Sequence, residues 1–553
     1  MKNAGTGRKL CGRFSRYNGH IELSPQHSVL STDMGSVVGI DLGTTFSAIA
    51  TLDEHGQPRT LPNRDGEMLT PSAVYLDGDT AVVGQAALDV APERPDRVAT
   101  LIKRRMGHAE FNRPVSGRTF RPETLAAIIL RKLVQDAELH IGSVEKAVIT
   151  VPAYFDDTRR KATHDAGRIA GLAVLDILDE PSAAALAYSF QRRPVTGTGG
   201  EALSEGPQTV LVYDLGGGTF DVTLVRLTPK RFQTIAIEGD VRLGGKDWDD
   251  RIVDKVAEEF RRQFGEDPRD DPQSLAALQA AAERAKRTLS KLDSTTVTCD
   301  HAGKRLSVPL TRQQFEEITR DLLTRTRLTT QQVLRQAKTD WGQIDRILLV
   351  GGSTHMPMTR EVLHDISGKQ PDNTLAVSEV VARGAAIHAG IVAARTAEGR
   401  GLLSPGAAEN LAGVVEINVN AHSLGVEIRE GQDRVNDHLV PKNTQLPAAQ
   451  SRVYYTVSES ARSVRVRVLQ GEARQPDACI PIGECWIEGL PPVLPKGSPV
   501  QVRFGVAANG LVEVMALDMT SGKMARTDIH RSSGLSDEEI EREAEWVRGL
   551  QIQ

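Results

Sequence analysis

Two stretches of the chain, GIDLGTTFS at 39–47 and VYDLGGGTFD at 212–221, each carry an apolar run into Asp-Leu-Gly and then into glycine and threonine. Glycine lets backbone N–H groups approach an anion closely, and threonine hydroxyls add short donors. Asp41 and Asp214 stand at the ends of the two runs, where their carboxylates suit a hydrated cation held between them. Those groups together describe a site for a metal-bound triphosphate. One Asp-Leu-Gly-Thr alone is more often an ordinary turn with a capping aspartate, because short glycine motifs recur by chance; a pair with matched flanks is far harder to explain that way. Neither copy is G-x-x-x-x-G-K-[ST], so the phosphates would not sit on a Walker-type loop.

The flanks say what holds these tips. VVGIDL with FSAIATL, and TVLVYDL with FDVTLVRL, read as two strand pairs turning at Gly and Thr. Their separation is too long for a solenoid, whose periods run to about 50 residues. Two related lobes whose tips face each other across a cleft are expected instead. A third apolar strand ends in a glycine pair in RILLVGGSTHMP at 346–357, a weak signal alone. Before it, Asp271 as N-cap and Pro272 at the first helical position open a helix with an apolar seam of Leu275, Leu278, Ala282, Ala285, Leu289 and Leu292. Glu283, Lys286, Arg287 and Ser290 form an adjacent polar stripe, which by spacing alone reads as a solvated face with side-chain pairs of about 0.2–0.5 kcal/mol each.

The 553 residues, 40% hydrophobic and 25% charged, suffice for several cores and roughly two to four domains. A net charge of -5 gives no global attraction to nucleic acid or anionic lipid, so neither is expected as a partner. No apolar run reaches the ~18 residues of a membrane span. Cys11, Cys299, Cys479 and Cys485 show neither C-x-x-C nor zinc spacing and read as reduced thiols. Residues 1–36 read as a disordered N-terminal extension without a continuous apolar signal core, which makes the cytoplasm the expected location. Past residue 390, AARTAEGRGLLSPGAAEN breaks the pattern, and from Val414 the chain becomes strand-like, with SVRVRVL alternating and two runs around Asn509-Gly510. Ser536 with Glu539 forms a capping box for one last helix.

The two hairpins, VPAYFDDTRRKATHDAG at 151–167, DEPSAAALAY at 179–188, LGGKDWDD at 243–250, ERAKRTLS at 283–290 and VGGST at 350–354 stand in an order that resembles the DnaK-type seventy-kilodalton heat-shock chaperones. The likeness covers 37 to about 390 and, more weakly through SLGVEI, VPKNTQLP and VRVLQGEA, 414–529. It implies an α/β actin-like two-lobed ATPase domain at 37–392, a linker region at 393–420, an all-β peptide-binding sandwich at 421–529 and a short C-terminal helix at 530–553 as a truncated lid. Asp41, Gly43, Thr44 and Thr45 resemble the family's first phosphate loop, and Asp214, Gly216, Gly217, Gly218 and Thr219 the second. Gly244 and Gly245 join the nucleotide site, with Glu283, Lys286, Arg287, Ser290, Gly351, Gly352 and Ser353 toward the adenosine. Lys103 matches the lysine beside the γ-phosphate, and Glu180, with Asp41, Asp214 and Thr219, the group around the attacking water.

Without the resemblance, Lys103 reads as a surface lysine, Glu180 as a helix-start acid and Arg160 as a solvated helical arginine. With it, Pro152 and Arg160 relay nucleotide state toward the linker, and Val426, Tyr454, Val457, Val464 and Val466 line a pocket for an apolar side chain of an extended peptide. The implied cofactors are ATP or ADP, magnesium held by Asp41 and Asp214 through water, and potassium; the implied partners are unfolded polypeptide, a J-domain co-chaperone and a nucleotide exchange factor. Several positions depart from the family. His355 stands for an arginine that stacks on adenine, which implies weaker nucleotide binding; Phe46 stands for Asn or Tyr, and Arg429 for an apolar arch residue. Asp176 for arginine, and Glu416 with Asn418 in the linker run VVEINVNA, fall where a J-domain docks and imply poor stimulation by a standard J partner. A lidless site implies fast peptide release. Two functions fit: an ATP-dependent peptide-binding chaperone, or an ATP-regulated scaffold with one dedicated partner. A small-molecule kinase is disfavoured by the β-module and by 151–167.

Overall fold

The computed structural model describes residues 36–191, 206–228, 230–372, 376–457, 462–488, 490, 495–528 and 534–553. The expected disordered extension, apart from Ser36, and Cys11 lie outside them.

Each glycine-threonine tip joins an antiparallel strand pair: Ser36–Asp41 with Phe46–Leu52, and Gln208–Leu215 with Phe220–Thr228. On its other side the first strand of each pair meets a parallel neighbour, Val144–Val151 in one sheet and Arg346–Val350 in the other. The same neighbourhood therefore occurs twice in a mixed α/β chain with several sheets. These strands read as unbroken apolar runs because both faces are covered, and an alternating polar face would be buried at a cost.

Between the two sheets run the helices Glu180–Gln191 and Val380–Ala394, which share one apolar core with Val148, Val212 and Leu348. Their close passage depends on Gly384, where an added Cβ would lie 1.8 Å from the carbonyl oxygen of Ala183. The helix Pro272–Leu289 starts as expected, with the Asp271 carboxylate accepting from the Ser274 N–H at 2.7 Å. Leu278, Ala282, Ala285 and Leu289 are buried, whereas Leu292, beyond the helix end, is exposed.

The region 393–420 is more ordered than its composition suggests. Helices Ala397–Arg400 and Pro405–Leu411 fold back, Leu411 and Val414 enter the core between the sheets, and Val415–Ile417 adds a parallel strand beside Arg231–Asp240. The linker thus ends as the edge strand of the second sheet.

From Leu424 onward two four-stranded antiparallel sheets share a core of Val426, Val466, Val468, Ile482, Phe504 and Val514. Val506 pairs with Val512, so the Asn509-Gly510 turn sits inside a wider loop than a two-residue hairpin, closed by the Gly510 N–H donating to Ala507 O at 3.0 Å with Gly510 at φ 80. The described cysteines Cys299, Cys479 and Cys485 are buried.

The last helix, Asp537–Gly549, carries the expected Ser536 and Glu539 capping box. The segment expected as a lid remnant is embedded in the first core. Leu535, Ile540, Val547, Leu550 and Ile552 cluster with Val38, Ile40, Leu125 and Ile128. Gln551–Ile552 then adds a parallel strand to Thr80–Val83. Among the described residues, no helix is long and apolar enough to cross a membrane.

Candidate functional site

The two tips meet. A Cβ built on Gly217 would lie 2.5 Å from the Thr45 hydroxyl and one on Gly218 2.5 Å from the Thr44 methyl, so the loops approach to the limit that bare glycine permits. The Gly43 N–H donates to Ser47 Oγ at 3.1 Å, which fixes the first turn. In the second turn the Gly216 N–H donates to Thr219 O at 3.0 Å. Gly244 and Gly245 close onto that second loop: the Gly245 N–H donates to Gly216 O at 3.0 Å and the Lys246 N–H to Gly217 O at 2.9 Å. Ser353 adds its hydroxyl to Gly216 O at 2.8 Å, and a Cβ on Gly351 would lie 2.7 Å from Asp214 Oδ1. Four glycine elements therefore converge on one cleft.

Behind the tips lies a buried acid cluster. Lys103, 4% exposed, is ion-paired with Glu180, so the surface-lysine reading of its sequence context does not hold. Asp41 accepts from Thr150 Oγ1 at 3.0 Å. Its carboxyl is raised to about 7, first by burial and then by Glu180, against the opposing pull of Lys103 and the Thr150 hydrogen bond. Asp214 is pushed well above the usual carboxylate range, again by burial first and then by Glu180, Asp221 and Asp41. Asp221, which accepts from the Tyr154 N–H at 3.0 Å, is raised the same way.

Four carboxylates thus face one ammonium. A divalent cation among them would offset the excess of negative charge, so the residues present fit a metal ion. Among the described residues no three His, Cys, Asp or Glu side chains are placed to ligate one ion together. Asp221 was missed by sequence reasoning, although it closes the motif VYDLGGGTFD. So was Arg104, which donates from Nε to Gly218 O at 3.0 Å and pairs with Asp247, whose other role is to accept from the Gly244 N–H at 2.8 Å. Nothing in a single Lys-Arg-Arg run marks the middle residue as a strut across the cleft.

The polar stripe divides. Glu283 and Arg287 pair with each other at 2.6 Å, as a solvated face would, and the Arg287 guanidinium lies 5.2 Å from the Phe46 ring centroid. Ser290 donates to its own helix at Lys286 O. Lys286 instead leaves the stripe and donates to Gly245 O and Asp249 Oδ2, both at 2.9 Å, which brings it into the glycine convergence. Exposed Gly352 and His355 begin and end the short turn after the third glycine strand. Burial, Arg360 and Lys291 hold the His355 imidazole below its ordinary pKa.

Arg160 lies near the junction with the β-module, and Pro152 stands between Thr150, which donates to Asp41, and Ala153, whose carbonyl accepts from Arg160. Arg160 is buried rather than solvated: its guanidinium donates to Phe155 O at 3.2 Å and Ala153 O at 3.1 Å and pairs with Asp179. It packs beneath the Asn509-Gly510 turn, where a Cβ on Gly510 would be 3.7 Å from Arg160 Nε. Neighbouring Asp157 ties the same face, with its N–H donating to Gln470 Oε1 at 3.1 Å. In the β-module, Val426 and Val466 are buried in the shared core, Tyr454 and Val464 are half-buried beside it, and Val457 is 61% exposed. The Tyr454 hydroxyl donates to Asp437 Oδ2 at 2.7 Å. Arg429 is exposed.

With this geometry in place, a family model described as Hsp70 protein matches residues 37–548.

Proposed function

The chain belongs to the Hsp70 family, a family of ATP-dependent chaperones, and on that premise we propose that it hydrolyses ATP in the cleft between the glycine tips and uses the nucleotide cycle to control peptide binding by the β-module. The observation that carries this reading is the apposition of Gly217 with Thr45 and Gly218 with Thr44 in front of the Lys103, Glu180, Asp41 and Asp214 cluster. Backbone N–H groups of the two loops bind the phosphates, and Gly244, Gly245, Lys286 and Ser353 hold the second loop in shape. Lys103 lies ready to stabilise charge on the transferred phosphoryl group, while Glu180 orients the water that attacks it. Magnesium, held by Asp41 and Asp214 through water, would supply the neutralisation of phosphate charge. Glu283, Arg287, Ser290 and Gly352 form the adenosine side, with Gly351 closing the floor under Asp214.

Coupling to the β-module runs through Pro152, Arg160 and the docked linker strand. Val426, Tyr454, Val457, Val464 and Val466 receive an apolar side chain, and a strand edge bonds the extended peptide backbone. In a cytoplasmic setting, a J-domain protein and an exchange factor are the expected co-chaperones.

The test is release of a labelled apolar peptide. Dissociation should accelerate on adding ATP and slow in ADP, and Glu180→Gln should bind ATP yet turn it over far more slowly. Peptide binding that ignores nucleotide, alongside one stable partner, would overturn the chaperone reading in favour of a dedicated scaffold.

A further inference from the structure

The linker run VVEIN carries an acid, Glu416, among apolar residues, and the strand it forms is docked on the second sheet. Its carboxylate is 11% exposed and meets Nδ1 of His388, a residue of the helix Val380–Ala394 whose side chain is 6% exposed. The other ring nitrogen, Nε2, lies 2.8 Å from Oδ2 of Asp176, on the strand Ala173–Asp179 of the first sheet. One imidazole therefore touches two carboxylates from two different elements. Glu416 Oε1 has no hydrogen-bond partner among the described residues, so His388 is this carboxylate's main compensation.

Chemistry settles the form of the ring. Nε2 hydrogen-bonds Asp176, while Nδ1 meets Glu416 as a close charge contact without hydrogen-bond geometry, and between two ionised carboxylates both contacts are favourable together only for the doubly protonated ring. Asp176 is held in turn by the Ile177 N–H at 2.9 Å and by the side chain of Asn509, from the β-module turn. Asp176 in turn acts on Asp179, further along the same strand, which is itself paired with Arg160.

We infer that the Asp176, His388 and Glu416 bridge fastens the linker strand to the helix between the two sheets, that the fastening requires the imidazolium, and that docking of the linker therefore takes up a proton. His388 is a positioning residue in this scheme: it acts on the linker, not on nucleotide. Although burial opposes it, Glu416 and Asp176 hold the imidazole raised to about 10, against an ordinary 6.5. A histidine with a raised pKa in the docked form stabilises that form fully below its undocked value, and the stabilisation is lost as pH climbs toward the docked value. As pH climbs toward about 10, docking should weaken by at most about tenfold per pH unit for the single proton, with the onset set by how far Asp176 alone holds the undocked ring.

The inference deepens the coupling step proposed above, but its measurement needs neither nucleotide nor peptide, so the two can fail separately. Hydrogen exchange of the amides at 415–417, corrected for the intrinsic pH dependence of exchange, reports docking in the full chain. Wild type should lose protection between pH 6.5 and 9.5. His388→Gln should be poorly protected throughout and flat over that range. Glu416→Leu, which removes the carboxylate and restores an apolar linker, should remain protected and flat. Glu416→Gln should keep a shallower slope with its midpoint moved down. A flat wild-type profile, or a slope that survives in His388→Gln, would overturn the inference. Far-ultraviolet circular dichroism of each variant separates loss of docking from loss of folding, and a His388→Gln chain that fails to fold leaves the Glu416→Leu comparison to decide.

Discussion

At the scale of single residues, the cleft is governed by carboxylates that burial has made reluctant to ionise. Asp41, raised to about 7, is partly protonated at neutral pH before any cation arrives. In the folded chain without ligand it binds more protons than in the unfolded chain, so its contribution to stability falls as pH rises from its ordinary 3.8 to about 7. A divalent cation with nucleotide reverses the preference. Binding should therefore release up to about one proton per site from Asp41 near pH 7, with affinity rising as pH climbs through that value. Calorimetry of Mg-ADP binding in two buffers of different ionisation enthalpy reads the number, and Asp41→Asn should bring it down; equal heats in both buffers from wild type would separate Asp41 from the metal. For turnover, Glu180→Gln should lower kcat by about 10²–10⁴ while nucleotide affinity changes little, since the amide cannot take the water's proton. An unchanged kcat in a single-turnover assay would place the water elsewhere. The glycines, threonines and two aspartates were legible because their spacing repeats, whereas Asp221 and Arg104 were not, because their roles exist only once two strands and a loop distant in sequence are brought together.

At the scale of elements, legibility follows burial on both faces. The paired tips stand on strands covered above and below, so their sequences are continuous apolar runs that announce themselves. Val415–Ile417 is short, interrupted by Glu416, and becomes a strand only because Arg231–Asp240 offers an edge. That is why the linker region read as a break. Gly384 makes the opposite point: inside a helix it costs propensity, and its reason lies in a neighbouring helix. With a Cβ 1.8 Å from Ala183 O, Gly384→Ala has no room, and the two central helices must part. The substitution should destabilise the protein by at least about 1–3 kcal/mol, read as a lower denaturant midpoint at unchanged slope. A neutral result would mean the helices pack more loosely than this contact requires.

At the scale of the whole molecule, the segment 535–552 packs into the same core as the first glycine-tip strand. Trp546 packs at a tilt against Phe120, 5.2 Å between ring centroids, and the Arg118 guanidinium lies 4.2 Å from the Trp546 ring. Thr124 donates to Glu543 at 2.9 Å. Below these contacts, five apolar side chains of the last segment join a core built from residues near the start. A lid and a structural clasp make opposite predictions for removal of 534–553. Loss of a lid would speed peptide escape and leave the first α/β core as stable as before. Loss of a clasp would uncover apolar surface beside Leu125 and Ile128 and leave the strand Thr80–Val83 without its outer partner, so the first α/β core should melt earlier. The placement observed predicts the second outcome. Trp546→Ala, a milder form of the same test, should cost about 2–3 kcal/mol through lost packing and cation–π contact, with peptide off-rates unchanged. Should the variant instead keep its melting temperature and release peptide faster, the segment acts on the β-module, and its position in the first core is not what it is for.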